Sequence, residues 1–144
     1  KMKLSYLKKF GLTKDPILGR LQQGKNINYK GHKILVNNAT DLIIGKKISI
    51  VSDTSYTTNI IKNIRNSDIL IIESTYSKEL IKKAKEYNHL TSEQAAKIAK
   101  QANVKQLILT HIGKRFKNTS ILLKEAKEVF KNTKIAKDFL KIKA

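Results

Sequence analysis

Four side chains able to move protons or hold a metal stand at the ends of apolar runs or just ahead of a helix. Asp53 follows Ile48-Ser49-Ile50-Val51, Glu73 closes Ile69-Leu70-Ile71-Ile72, and His111 follows Leu107-Ile108-Leu109-Thr110. His89 precedes Thr91, which with Gln94 forms the signature of a helix capping box. Carboxylates and imidazoles ligate zinc, and they act as general acids and bases near neutral pH. Each also has a plainer role. Asp53-Thr54 can cap the next helix. Glu73 can be a surface carboxylate beside a lysine. His89 can be a loop residue ahead of an N-cap, and His111 a hydrogen-bonded core histidine. His32, in a glycine-rich loop, reads as structural. Shared placement, more than residue type, points to chemistry.

The elements that must position these groups follow from the hydrophobic pattern. The three continuous Ile/Leu/Val runs read as buried strands, and stretches of helical period separate them. One helix carries Tyr56, Ile60, Ile61 and Ile64 on a single face. A second surrounds Leu80, Ile81 and Ala84. A third runs from Ser92 to Ala102 with Ala95, Ala99 and Ala102 inward. A fourth runs from Ser120 to Phe130 and buries Leu122, Ala126, Val129 and Phe130. Closing strands are expected at Ile135–Ala136 and Phe139–Ile142. Apolar strands alternating with helices predict an α/β fold with a mainly parallel sheet, covered on at least one face. Ligands of such sheets bind beyond the carboxyl ends of the strands, where Asp53, Glu73 and His111 fall. Residues 1–45 look different. They hold the only proline, Pro16, and Gly11, Gly19, Gly24 and Gly31. They read as loops with short strands, one at Lys33–Val36, so the chain divides into residues 1–45 and 46–144.

Charge narrows the partners. Thirty basic and 11 acidic side chains give a net charge of +19. Such a field attracts polyanions, nucleic acid first among them. The arginines are only Arg20, Arg65 and Arg115, and a lysine surplus also arises from genome composition or heat adaptation. With no cysteine, disulfides and thiolate metal sites are excluded, which fits a cytoplasmic protein. No apolar run approaches the ~20 residues of a membrane span. No signal peptide is evident, and a start at Lys1 suggests a fragment or a processed product.

Taken in order, Ser52-Asp53-Thr54, Glu73-Ser74-Thr75-Tyr76, His89-Leu90-Thr91 with Gln94-Ala95-Ala96, Leu109-Thr110-His111 and Lys114-Arg115-Phe116 resemble the second half of ribonuclease Z. That family belongs to the metallo-β-lactamase superfamily and trims the 3′ end of precursor tRNA. The stretch from Leu7 to Gly24 resembles the family segment that follows its protruding tRNA-binding arm. The resemblance implies the C-terminal half of an αβ/βα sandwich whose complete enzyme binds two zinc ions. Asp53 resembles the carboxylate bridging both metals, and His111 the last histidine ligand. His89 resembles the non-ligand histidine that acts on the scissile phosphate and leaving oxygen. Glu73 resembles the acid that orients it. Lys114 and Arg115 would hold tRNA phosphates.

The departures matter as much. The family's His-x-His-x-Asp-His cluster, its middle ligand histidine and its arm are absent, and Ser55 replaces an arginine. The expectation is a chain inactive alone. It would be completed by a missing N-terminal half or a second subunit, with a homodimer as a further expected assembly and one apolar sheet face left uncovered. The alternative expectation is a non-catalytic half or paralogue that binds RNA through its lysines or docks on a partner. A hydrolase of small esters or thioesters on the same fold is a third, against which the Glu73 and His89 motifs stand.

Overall fold

The computed structural model describes residues 1–143. The chain divides after Gly45 into two compact units.

The first unit is more regular than the loops read from its sequence. It contains α1 (Leu4–Lys8), α2 (Leu18–Gln22), a hairpin of β1 (Ile27–Tyr29) and β2 (His32–Ile34), and α3 (Val36–Ala39). Lys30 and Gly31 turn the hairpin with both φ angles positive, as a tight two-residue turn requires. Leu7, Leu12, Leu21, Ile27, Ile34 and Ala39 form its core. The strand expected at Lys33–Val36 ends at Ile34, because Val36 opens α3 and donates its N–H to the Asn26 side chain. His32 pairs with Tyr29 in the hairpin, and its ring lies 5.4 Å from that of Phe10.

In the second unit, β3 (Ile48–Val51), β4 (Ile69–Glu73), β5 (Gln106–Thr110) and β6 (Thr133–Ile135) form one parallel sheet in that spatial order. The crossovers are α4 (Thr58–Ile64), then a 3₁₀ turn at Lys78–Leu80 with α5 (Ile81–Glu86) and α6 (Ser92–Gln101), then α7 (Ser120–Val129). A chain stepping always in one direction with crossovers of one hand must lay its helices on the same face. The core confirms it. Leu70, Ile72, Leu107 and Leu109 pack against Ile60 and Ile64 of α4, Ala95, Ile98 and Ala99 of α6, and Ala126 of α7. Small alanines on α6 let the helix approach closely, and each fully buried Leu or Ile contributes about 1.5–3 kcal/mol. On β3 the alternate side chains stay open: Ile48 is 53% and Ile50 72% exposed.

Two expected elements differ. Tyr56 is not on a helix face. Thr57 caps α4 and accepts from the Asn59 N–H, which leaves Tyr56 in the preceding loop. The strand expected at Phe139–Ile142 does not form. The chain turns at Lys137–Leu140, and Phe139 is 99% exposed with a positive φ that no ladder accommodates. Among the described residues, no helix is long and apolar enough to cross a membrane.

Candidate active site

All four candidate groups gather at the carboxyl edge of the sheet. Glu73 is the last residue of β4, and His111 immediately follows β5. Asp53 stands just past β3. Asp53 and His111 both have left-handed backbones, with φ of 43° and 51°. This conformation is uncommon for residues with side chains, and it turns the chain sharply as it leaves each strand. His89 arrives from the opposite direction. Its N–H donates to Ala84 at the end of α5. The next residues run beside the exit of β4, where Tyr76 N–H donates to Leu90 and Ser92 N–H to Tyr76. The Thr91–Gln94 capping box then starts α6 as the sequence predicts.

Glu73 organises the site. Its carboxylate is fully buried and accepts from four donors. Oε1 takes the Thr54 N–H at 2.7 Å and faces His89 Nδ1 at 3.0 Å. Oε2 takes the Thr75 hydroxyl at 2.7 Å and the Leu90 N–H at 3.2 Å. Burial pushes the carboxyl pKa up, but the Thr54, Thr75, His89 and Leu90 hydrogen bonds outweigh it and hold the group below its ordinary value. The surface-carboxylate role is thereby ruled out. An ionised Glu73 can only accept, so Nδ1 of His89 carries a proton and Nε2 is turned away from Glu73.

The other two groups lie closer to solvent. The Asp53 and His111 side chains are 70% and 49% exposed, with His111 Nε2 3.4 Å from Asp53 Oδ1. His111 is therefore not a core histidine, and Thr57 rather than Asp53 caps α4. The rings of His89 and His111 are 5.3 Å apart. Asp53, His89 and His111 each offer a ligand atom within 4.8 Å of the others. Carboxylate and imidazole are donor types that zinc accepts, and of the three only His89 is tied through Nδ1 to a buried carboxylate. Sequence reasoning counted Asp53 and His111 as ligands; the fold adds His89 to their cluster.

Lys114 and Arg115 follow on the same loop, both exposed. The Arg115 guanidinium lies 4.7 Å over the ring of the buried Tyr76. This contact holds the side chain beside the site. Gly113 allows it, because a Cβ there would stand 2.6 Å from the Thr75 carbonyl oxygen, which accepts the Gly113 N–H. A cavity of about 530 Å³ opens beside His89, lined by Ser55, Tyr56, Ile81, Lys82 and Lys85.

Two polar residues at this edge escaped sequence reasoning. Thr75 links Glu73 to His111. Glu125 of α7 is buried and accepts from Ser92 and the Lys78 N–H, fixing the start of α6. Its signal was an acid inside the apolar stripe Leu122, Ala126, Val129.

Among curated proteins, the chain is 41% identical over 143 residues to ribonuclease Z of Enterococcus faecalis and 39% identical over 141 residues to that of Archaeoglobus fulgidus. These alignments cover 95% and 94% of this chain. The chain is a homologue of ribonuclease Z. It spans 45% of the length of each of those ribonuclease Z relatives. Two solved structures agree. A metallo-β-lactamase fold protein from Bacillus subtilis superposes with a TM-score of 0.55 at 35% identity, covering 61% of this chain and 37% of that protein. The short form of human tRNase Z superposes at 0.53 with 32% identity, covering 67% and 32% respectively. No protein-family model matches the chain. The fold is therefore mixed α/β, and its neighbours are metallo-β-lactamase fold proteins and tRNase Z.

Proposed function

We propose that this chain supplies the C-terminal half of the active site of a ribonuclease Z that cuts the 3′ trailer from precursor tRNA. The observation that carries the reading is the buried Glu73 carboxylate. It fixes the His89 imidazole at the rim of the Asp53–His111 cluster.

Asp53 and His111 would hold the metal, two zinc ions in the complete enzyme, with the remaining ligands coming from a half that this chain does not carry or from a second subunit. When bound, the metal supplies a hydroxide and offsets the charge that builds on the phosphate. His89 acts as the general acid. As the bond from phosphorus to the tRNA 3′-oxygen breaks and a new phosphorus–oxygen bond forms on the opposite side, the His89 Nε2 proton would pass to the departing 3′-oxygen. The tRNA keeps a 3′-hydroxyl and the trailer keeps the phosphate. Glu73 stabilises the charged imidazole before transfer and keeps Nδ1 protonated after it. Arg115 and Lys114 bind flanking phosphates, and Arg115 has the fork geometry that phosphate prefers. The net charge of +19 draws the substrate in. The apolar and basic cavity beside His89 receives a nucleotide next to the cut.

The test is cleavage of precursor tRNA with added zinc, using this chain alone and mixed with the N-terminal half of a ribonuclease Z. Cleavage is expected only in the mixture. Asp53→Ala and His111→Ala should abolish it, and His89→Ala should slow it about 10²–10⁴-fold. No cleavage in the mixture, with tRNA still bound after chelation, would leave an RNA-binding role instead.

A further inference from the structure

We infer that Thr75 is a positioning residue for the metal site: its hydroxyl carries the orientation set by Glu73 on to His111, placing the imidazole proton on Nδ1 and leaving Nε2 bare towards Asp53. The inference rests on reading His111 as a metal ligand.

The argument is a count of protons. Thr75 Oγ1 lies 2.7 Å from Glu73 Oε2, 2.9 Å from His111 Nδ1 and 3.1 Å from the His111 carbonyl oxygen. A hydroxyl has one hydrogen and two lone pairs. The carboxylate is the nearest acceptor, it is charged, and it is buried, so the hydrogen points there. Any other choice would set a hydroxyl lone pair against a buried anion at 2.7 Å. The lone pairs then face His111, and Nδ1 must supply the hydrogen between them. The neutral ring has no second proton, so Nε2 presents its lone pair. Asp53 Oδ1 on that side is 3.4 Å away and 70% exposed, a longer and more solvated acceptor that competes less for the proton than the buried Glu73–Thr75 pair does. A metal-binding histidine needs this form, with its outer N–H held by a partner that fixes the ring.

One carboxylate thus serves two histidines that differ in role. Glu73 reaches His89 directly and His111 through one hydroxyl. Serine could replace Thr75 here; valine, which has the same shape without the oxygen, could not.

The experiment is long-range ¹H–¹⁵N NMR of the histidine rings in the metal-free chain at about pH 8, above the ordinary histidine range. Wild type and Thr75→Ser should show His111 protonated on Nδ1. Thr75→Val should move the proton population to Nε2. Zinc affinity, measured by competition with a chelating dye, should fall about 10–100-fold in Thr75→Val and recover in Thr75→Ser. A role limited to seating the loop would leave the ring proton in place. Nε2 protonation in the wild type, or a Thr75→Val chain that keeps Nδ1–H or wild-type zinc affinity, overturns the inference. If Thr75→Val does not fold, the wild-type and Thr75→Ser spectra decide it alone. The ring proton is read without metal or RNA. A failure here therefore leaves the ribonuclease reading standing, and a failure to cleave leaves the proton assignment standing.

Discussion

Strand β4 has a carboxylate at each end, and the two are held down by opposite means. Asp68 precedes the strand at the amino-terminal end of the sheet, its side chain 13% exposed. Its carboxyl is lowered to about 2, chiefly by the hydrogen bond from Lys105 at 2.7 Å and then by the Lys47 N–H, with Lys46 3.8 Å away. Glu73 closes the strand inside the protein, and its four donors include no lysine or arginine. Lysines on flexible stems can lower a surface pKa without fixing any geometry. Converging backbone and hydroxyl donors fix a charge in one place, which an oriented histidine requires. One end of the strand ties the sheet together and the other aims side chains.

The contrast can be broken most directly at Glu73. Glu73→Ala leaves the Thr54 and Leu90 amides without a partner and His89 without its anchor. It should destabilise the second unit by about 3 kcal/mol or more in urea unfolding. Asp68→Asn keeps an acceptor for the Lys47 N–H and loses only the charge that faces Lys105 and Lys46, so it should cost less, and an equal loss at both positions would erase the distinction. Gly113→Ala comes next. The added methyl meets a backbone oxygen, not a flexible side chain, and should cost about 1–3 kcal/mol. A neutral result would show that the loop bearing Arg115 is not docked on Thr75.

The smallest effect is the most diagnostic. Both carboxyls are depressed on folding, so each contributes stability that is present above its ordinary pKa of about 4 and is lost as pH falls through the folded value. For Asp68 the loss falls between about 4 and about 2. One molar salt shortens the screening length to about 3 Å and should remove most of the Asp68 contribution, leaving that of Glu73. Urea midpoints of Asp68→Asn and Glu73→Gln across this range, at low and high salt, measure it. A salt-sensitive Glu73 would mean that its site is wet.

Much of the second unit was legible from local pattern. Ile48–Val51, Ile69–Ile72 and Leu107–Leu109 sit in strands. The capping box starts α6, and α7 buries Leu122 and Ala126. The failures share a cause. Phe139–Ile142 alternates like a strand, but alternation does not provide a neighbouring strand. Tyr56 fits the helical period, but Thr57 supplies the cap. In residues 1–45, glycines that punctuate turns hid three short helices, each too brief for a period to register.

Local pattern was enough to place Asp53, Glu73 and His111 at the ends of strands, because periodicity is local and strand ends follow from it. What those groups became depended on packing between distant segments. It buried Glu73, exposed His111, brought His89 to a carboxylate 16 residues away and Thr75 to an imidazole 36 residues away. Loop positions carry no period, and hydrogen bonds between them exist only once the crossovers have closed. The proton assignments on which the proposed chemistry depends therefore belong to the fold.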